Sequence, residues 1–463
     1  MLDRRQFTLI GNEGIGNPRS QVAQSMAYFQ GRLYLGVTHP KGEGPMDAAR
    51  VLRFDSKRMR WDTVYQSPLI EADENAIVHD IYRGESGAKL GRQRHQMVPR
   101  HRGFRCMTLF HPNAATAPWL FASTLSHWGS QLVRSQDGES LEEASEPGLG
   151  NRDVLSFRTI QGFRNMLFVS PVGTVKAGVM DRMFGDVARL YVSEDPVSGA
   201  WQEAIPPGFD DPTNRSVFCM TVFNGFLYAG TGNPDCGFDL WKTDADGTAP
   251  FTWKRVLTRG AWRYNLNEFV GSMAEFDGNL YVGTGIPGLG YDKAYDVGPA
   301  AAEIIRVAPD DSWELVTGTP RFTPAGLKAP TSHLGPGFGD PENSAMWSMA
   351  AWDGVLYVGT HNCSSFHTAL RGEPSIYGGF QLWATRDGDH WQALTMDGFG
   401  DPFATGVRTL MPTPEGLYVG TSTHREVEKF WSRRTGMPST PGAGGLSVWL
   451  GSKAASGRGA SAR

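Results

Sequence analysis

The sequence predicts an all-β protein folded as a seven-bladed β-propeller. Three observations carry the prediction: a four-residue motif recurs seven times, a tight glycine turn precedes most copies, and the 463 residues include 57 glycines, 29 prolines and 14 tryptophans. Such a composition is typical of many short strands and turns. A repeat of about 66 residues has room for four strands, and radial repetition of four-stranded sheets makes a propeller.

The repeated motif begins with leucine and an aromatic residue and ends in glycine or serine. Its copies are LYLG at residue 33, LFAS at 120, LFVS at 167, LYAG at 227 and LYVG at 280, 356 and 417. Asn-Gly and Asp-Gly turns precede several copies, and both residues accept the positive φ that a two-residue hairpin needs. Each copy therefore predicts a hairpin, and segments such as GFQLWATRDGDHWQAL add a third and a fourth strand.

Two turns between third and fourth strands carry a resemblance to a known family. SQDGESL from residue 135 and TRDGDHW from residue 385 resemble the Asp-box turns of sialidase-like propellers. The usual box separates aspartate from glycine by one residue, whereas here the two are adjacent. Because the resemblance covers one turn in two or three blades, it supports the propeller architecture and implies no catalytic residue.

The opening residues, LDRRQFTLIG, begin like a twin-arginine export signal but predict a strand. The apolar stretch ends at Ile10, which is shorter than the apolar core of a signal. Phe7 stands eleven residues before a proline, as Trp201 and Trp391 do in two predicted outer strands. Since the seventh copy ends with a third strand, residues about 5–11 are predicted to complete blade seven and close the ring.

Composition bounds the domain and its partners. Residues 1–451 are predicted to form the propeller, and residues 452–463, which are small and polar, a disordered tail. The net charge of −4 shows no basic excess for nucleic acid, and no apolar window is long enough to span a membrane. The four cysteines lack paired spacing, so a cytoplasmic protein is expected. Its expected partner is a small-molecule substrate. The oligomeric state stays open.

Long loops fall on one predicted face. Five of the seven loops that follow the second strand are long, whereas the turns between first and second strands are tight throughout. Long loops in compact domains usually carry function, and a one-sided crown over the central channel would form a walled pocket.

Four histidines follow the repeated motif in blades one, two, six and seven: His39, His127, His361 and His424. These blades are neighbours in the ring, so the four imidazoles are hypothesised to hold a divalent metal, Fe, Zn or Mn. The alternative is four separate loop histidines. His361 and His424, with Glu426 beside the latter, are also the predicted catalytic acids or bases.

An arginine column is the second group of candidates. Alignment of the innermost strands places in one column Gln24, Arg105, Arg158, Phe218, Gly271, Trp347 and Arg408. Three guanidinium groups are costly to bury alone and suit a carboxylate, sulfate or phosphate. Arg105, Arg158, Arg408 and Trp347 are therefore predicted to bind substrate. The alternative is that each arginine pairs with an acid or a carbonyl of a neighbouring blade.

Three further features predict no functional role. The residues before a proline at one joint, Asn17, Asp211, Asp340 and Asp401, are expected to cap backbone groups. The next column of the inner strands is small throughout and is expected to let blades approach. Cys363 is expected to be an exposed loop thiol.

Together these patterns favour a small-molecule enzyme acting on a substrate with an anionic group, in a His-lined pocket under the long one-sided loops. Hydrolysis, elimination or isomerisation, and metal-dependent oxygenation stay open. The alternative is a glycan- or peptide-binding propeller without catalysis.

Overall fold

The computed structural model describes residues 1–39, 44–71, 77–78, 88–89, 97–112, 115–176, 179–181, 184–291, 298–371, 378–424, 428, 432–433, 436 and 444–453. Antiparallel strands dominate these residues, and helices are short. The all-β prediction is confirmed.

The strands of the first half lie in this order. They are β1 (Phe7–Gly11), β2 (Val22–Phe29), β3 (Arg32–Thr38), β4 (Arg50–Asp55), β5 (Arg60–Gln66), β6 (Leu69–Glu71), β7 (Ile77–Val78), β8 (Ala88–Lys89), β9 (Met97–Pro99), β10 (Gly103–Phe110), β11 (Trp119–Leu125), β12 (Leu132–Ser135), β13 (Glu142–Glu143), β14 (Ser156–Phe163), β15 (Met166–Val172), β16 (Thr174–Lys176), β17 (Val179–Asp181), β18 (Tyr191–Ser193), β19 (Gln202–Glu203), β20 (Ser216–Phe223), β21 (Phe226–Gly232), β22 (Leu240–Thr243) and β23 (Lys254–Leu257).

The second half continues the pattern. Its strands are β24 (Phe269–Phe276), β25 (Asn279–Gly285), β26 (Ile304–Val307), β27 (Trp313–Thr317), β28 (Arg321–Thr323), β29 (Gly326–Lys328), β30 (Asn343–Trp352), β31 (Val355–Asn362), β32 (Leu382–Thr385), β33 (Trp391–Thr395), β34 (Ala404–Thr413), β35 (Gly416–Thr423) and β36 (Val448–Gly451). The α-helical segments are α1 (Glu13–Gly16), α2 (Arg259–Trp262), α3 (Pro287–Gly290) and α4 (Ser364–Arg371). The 3-10 turns are Arg4–Gln6, Pro45–Asp47, Pro147–Gly150, Pro207–Asp210, Tyr264–Leu266, Pro336–Gly339 and Gly398–Gly400. None of the helices in the described ranges is both long and apolar enough to cross a membrane.

Pairing groups the main strands into antiparallel sheets of four, one for each copy of the motif. The sheets are β2–β5, β10–β13, β14 with β15, β18 and β19, β20–β23, β24–β27, β30–β33, and β34–β36 with β1. The first strand of each sheet lies beside the first strand of the next, and β34 returns to β2. The inner strands therefore form a closed circle around one channel.

The N-terminal strand lies where the sequence analysis expected it. β1 pairs with β36, with Phe7 opposite Gly451. Leu2 and Phe7 are buried in a core cluster that also holds Tyr357 and Leu417. The first residues are thus part of the last sheet.

The predicted capping at the joint is confirmed. In each case a side-chain oxygen accepts from the backbone N–H two residues later, at 2.9–3.1 Å, for Asn17, Asp211, Asp340 and Asp401. Burial of these turns leaves backbone donors that need such partners.

The small column joins neighbouring blades by hydrogen bonds. Its hydroxyl groups donate to a carbonyl of the next inner strand: Ser25 to Phe104 at 2.8 Å, Ser272 to Met346 at 2.7 Å, Ser348 to Val407 at 2.9 Å and Thr409 to Ala23 at 3.3 Å. The last of these bonds links the seventh sheet to the first. Besides allowing close approach, the column therefore ties the blades together.

The turns that resemble an Asp-box dock on the preceding blade. Asp137 accepts from the backbone N–H groups of Glu139 and Ser140 at 2.9 and 3.3 Å. The buried Tyr34 hydroxyl donates to the carbonyl of Gly138 at 3.0 Å. The role observed for this turn is structural.

Replacing the glycine of the equivalent turn in blade six is expected to strain this docking. A Cβ at Gly388 would overlap the hydroxyl of Tyr281, whereas Gly247, at the corresponding turn of blade four, has open space around its Cβ position. Their φ angles are 83° and 84°, so backbone strain is matched. Gly388→Ala should lose about 2 kcal/mol more unfolding free energy than Gly247→Ala, measured by urea denaturation. Equal losses would contradict the docking role.

Candidate functional site

The aligned column coincides with a repeated irregularity of the inner strands. In each inner strand the pairing register shifts at the column residue. The residues on either side of it pair with consecutive residues of the second strand, so the column residue is an extra one in the ladder. These residues are Gln24, Arg105, Arg158, Phe218, Gly271, Trp347 and Arg408. A bulge of this kind re-aims a side chain and often lies beside a functional site. Contacts join three pairs of column residues from neighbouring blades: Gln24 with Arg408, Arg408 with Trp347, and Arg158 with Phe218.

Arg408 is held at the boundary of blades six, seven and one. Its guanidinium lies 5.1 Å from the ring centre of Trp347. With the Gln24 amide oxygen turned toward it, Arg408 donates to that oxygen from Nη2 at 2.7 Å and from Nε at 3.0 Å. Burial lowers the pKa of Arg408 to about 10, so the group is still a cation at neutral pH.

The other two arginines lack carboxylate partners among the described residues. Arg105 has a buried Nε without a hydrogen-bond partner in that part of the chain. Burial, followed by the charges of Arg408 and Arg102, lowers its pKa to about 9. Arg158 lies over the ring of Phe218, 3.6 Å from its centre. The alternative, pairing of each arginine with an acid or a carbonyl of a neighbouring blade, therefore holds for Arg408, which donates to the Gln24 amide carbonyl. Among the described residues no such partner is seen for Arg105 or Arg158.

Two of the predicted histidines come together beside Arg408. The ring centres of His361 and His424 are 6.5 Å apart, and His361 lies 4.4 Å from Trp347. Burial and the Arg408 charge lower the pKa of His361 to about 4, and burial and His361 lower that of His424 to about 3. Both imidazoles are therefore neutral at pH 7, and each can take part in proton transfer.

A hydroxyl and a thiol orient His361. Its Nδ1 lies 2.9 Å from the Ser344 Oγ, and the Cys363 thiol lies 3.2 Å from the same oxygen. The expectation that Cys363 is exposed is wrong: it is fully buried, and burial raises its pKa to about 12. This thiol is protonated, so it serves packing and hydrogen bonding and not nucleophilic attack.

The sequence analysis did not anticipate a pairing of histidine with glutamate near this site. His367, on the first turn of α4, bonds through Nδ1 to the Glu342 carboxylate, and its ring lies 5.6 Å from Tyr291. The backbone N–H of Cys363 also donates to the Glu342 carbonyl at 2.8 Å. Glu342 follows the joint proline and His367 lies in a long loop, so no repeat placed them together.

The other predicted site residues lie elsewhere or outside the description. His39 is fully buried, with Nδ1 3.0 Å from the Arg19 carbonyl and 4.0 Å from Asp47. His127 lies beside Trp128, with ring centres 5.9 Å apart. Glu426 and residues 454–463 of the predicted tail fall outside the described residues.

The four histidines do not form the hypothesised ligand set. Among the described residues, no group of three or more His, Cys, Asp or Glu side chains could hold a metal ion. The reason is that the loops place His39 against its own blade, bonded to the chain before β2. A divalent metal therefore stays a prediction, without the four ligands first assigned to it.

Two open clefts lie away from this constellation. One of about 490 Å³ is lined by residues such as Arg263, Leu266 and Pro336, near the joints of blades five and six. The other, of about 510 Å³, is lined by hairpin residues such as Asp277 and Gly354. Neither is lined by a bulged residue, and the chemistry-bearing side chains belong to the channel.

The fold and the constellation define a β-propeller with an arginine-bearing, partly aromatic channel. No family model matches the chain, and no curated protein matches it. Among solved structures, the GH74 xyloglucanase from Xanthomonas campestris matches 90% of this chain at 13% identity and a TM-score of 0.41; this chain spans 53% of that one.

Two further solved structures match over most of both chains. YCF48 from Cyanidioschyzon merolae matches 96% of this chain and 98% of its own, at 10% identity and a TM-score of 0.46. The polysaccharide lyase Uly1 matches 94% and 91%, at 9% identity and a TM-score of 0.49. At such identities no function is carried across.

Proposed function

We propose that this protein is a small-molecule enzyme that binds an anionic group of its substrate in the channel. Arg105, Arg158 and Arg408 would hold the anion, and His361 and His424 would transfer protons. One observation supports the proposal: three arginines without described carboxylate partners lie at bulges of the inner strands, and one of them, Arg408, lies beside two neutral imidazoles.

Electrostatics support this division of roles. Guanidinium groups in a water-poor site stabilise negative charge more strongly than they do in water. An imidazole whose pKa lies well below 7 is neutral at pH 7 and a weak base. A substrate anion bound beside it would favour its protonated form and raise that pKa toward the working pH, which proton transfer requires. Anion stabilisation with proton transfer suits hydrolysis, elimination and isomerisation alike, so the reaction class stays open among these.

The metal is a separate prediction on which this proposal does not rest. His361 and His424 would supply two ligands, whereas structural zinc sites take four and catalytic sites three. Elemental analysis of untagged, chelator-free protein would test it: near-stoichiometric Fe, Zn or Mn that is lost in His361→Ala would support a metalloenzyme.

Turnover of pooled small anions tests the proposal. Wild-type protein is incubated with carboxylates, sulfates and phosphates, and mass spectrometry follows their depletion. We expect Arg408→Gln to weaken binding of the depleted anion about 10- to 100-fold, the range for a lost charged hydrogen bond. His361→Gln with His424→Gln should abolish turnover and keep binding.

Arg5, whose side chain is 92% exposed, supplies the control Arg5→Gln, which should change neither binding nor turnover. Binding without turnover by the wild type would favour a propeller that only binds its ligand. Unaltered binding by Arg408→Gln, with an unchanged melting temperature, would refute the anion site.

A further inference from the structure

A short hairpin before the first strand of blade six holds two apolar side chains in solvent. It is formed by β28 and β29, which among the described strands pair only with each other. Phe322 and Leu327 lie opposite one another in this hairpin and are 82% and 59% exposed. Among the described residues, no other large apolar side chain is as exposed as Phe322. Adjacent apolar side chains exposed in this way indicate a contact surface.

The two faces of the hairpin differ because neighbouring residues of a strand point to opposite sides. Arg321 and Lys328, the residues next to the apolar pair, are bonded to the rest of the protein. The Arg321 Nε donates to the Ala261 carbonyl at 2.8 Å, and the Lys328 Nζ donates to the Trp313 carbonyl at 2.6 Å. The basic face therefore anchors the hairpin, and the apolar face is turned outward.

The chain around the hairpin is basic, although the whole protein has a net charge of −4. Residues 255–267 and 315–339 meet at the Arg321 hydrogen bond and contain no aspartate or glutamate. Two buried carboxylates, Asp239 and Glu303, lie 2.9–3.7 Å from cations of these segments. The cations exceed these two acids by three; they are Arg255, Arg259, Arg263, Arg321 and Lys328.

We infer that this basic, apolar region docks on the surface of an anionic lipid bilayer. Phe322 and Leu327 enter the boundary between headgroups and acyl chains, and cations such as Arg259 and Lys328 lie among the anionic headgroups. Burial of apolar side chains and attraction of cations to anionic lipid are the two contributions to peripheral membrane binding. This inference is independent of the chemistry proposed for the channel.

Two aromatic side chains of the neighbouring segment suit the same surface. Tyr264 is 46% exposed, and its ring centre lies 6.5 Å from that of Trp262. The Arg259 guanidinium lies 5.3 Å from the centre of the Trp262 ring. Tyrosine and tryptophan have an apolar body and a polar tip, so they are favoured where headgroups meet acyl chains.

A bilayer fits the charge of this region better than a second copy of the chain does. In a two-fold dimer built on the hairpin, the same basic region would face itself across the interface. Like charges brought together in this way oppose association. An anionic bilayer has the opposite charge, and it accepts a projecting apolar tip without a matching pocket.

Co-sedimentation with vesicles tests the inference. The probes are vesicles of phosphatidylcholine with about 30% phosphatidylserine and vesicles of phosphatidylcholine alone. We expect the protein to partition onto the anionic vesicles about tenfold or more tightly, and added NaCl should weaken this binding because salt screens the charges. Arg259→Gln should weaken it about fivefold, since one cation near the membrane is lost.

Substitutions in the hairpin isolate the apolar contribution. Phe322→Ser and Leu327→Ser should each weaken partitioning onto anionic vesicles about tenfold or more, because each removes an apolar side chain from the bilayer. The melting temperature should stay unchanged, since both side chains are exposed. Val197→Ser is the matched control and should leave partitioning unchanged: Val197 is 40% exposed but follows Glu194 and Asp195 in its turn.

Any of three results would overturn the inference. The first is equal partitioning onto both kinds of vesicle, or none onto either. The second is binding to anionic vesicles that Phe322→Ser and Leu327→Ser leave unchanged. The third is a hairpin that serves another partner: either self-association in analytical ultracentrifugation, or tighter binding of soluble polyglutamate than of anionic vesicles, that Phe322→Ser abolishes. A second copy or an acidic protein would then cover the hairpin.

Discussion

Deletion of residues 1–12 is expected to destroy the stable fold or leave the protein insoluble. The deletion removes β1, the outer strand that ties the N-terminus to the last sheet, so that β36 becomes the exposed edge of a three-stranded sheet. It also removes Leu2 and Phe7 from their core cluster, together with the hydrogen bond from the Leu2 N–H to the Tyr357 hydroxyl at 3.2 Å. Circular dichroism melting of the soluble fraction measures the effect.

A pair of point variants on the same strand isolates the packing contribution. Phe7 is 6% exposed, whereas Leu9 is 42% exposed. Phe7→Ala should cost about 3–5 kcal/mol of unfolding free energy because it leaves a cavity in the core. Leu9→Ala should cost about 0.5 kcal/mol or less, as is usual for surface positions.

Two results would contradict the closure. An unchanged melting temperature after deletion would mean that β1 adds nothing to the last sheet. Equal losses for Phe7→Ala and Leu9→Ala would mean that the strand is held by backbone pairing alone. In the first case the ring must be stabilised by its inner-strand hydrogen bonds instead.

The fold could be predicted because its signals are local and repeated. Each hairpin has its own turn, and seven copies of one motif reinforce a weak pattern. The N-terminal strand was found in the same way, since Phe7 keeps the spacing to proline that Trp201 and Trp391 show. A fold can be predicted from one sequence when strand propensity, turn residues and repetition all indicate the same structure.

The site could be predicted only in part, for a physical reason. The column of arginines was found because it repeats, but the bulge that re-aims each side chain leaves no mark in a single sequence. Loop residues carry no period. His39 therefore could not be separated from His361 and His424, and the pairing of Glu342 with His367 was not anticipated.

Acidification is expected to unfold the protein over a narrow range because its buried histidines are neutral. Burial lowers the pKa of four of them: His39 and His361 to about 4, and His101 and His424 to about 3. In the unfolded chain each would titrate near 6.5. Between those pH values the unfolded state binds more protons than the folded state does. The free energy of unfolding therefore falls as the pH falls from 6.5 toward 4.

The size of this effect follows from the number of protons. Each histidine contributes a slope of about 1.4 kcal/mol per pH unit, so four contribute on the order of 5 kcal/mol per unit. Domains are stable by about 5–15 kcal/mol, so the midpoint of acid unfolding should lie near pH 5. Urea denaturation at pH 7.5, 6.5, 5.5 and 5.0 measures the slope.

His101 supplies the sharpest variant for this prediction. It is fully buried, and neither ring nitrogen has a hydrogen-bond partner among the described residues. His101→Leu removes two unmet polar atoms and one titrating group, so it should raise stability by about 1–3 kcal/mol at pH 7.5 and reduce the acid slope by about a quarter. His390→Ala is the control, since His390 is exposed and its pKa is raised by Asp387. A slope unchanged in His101→Leu would show that other groups, carboxylates foremost, govern acid unfolding.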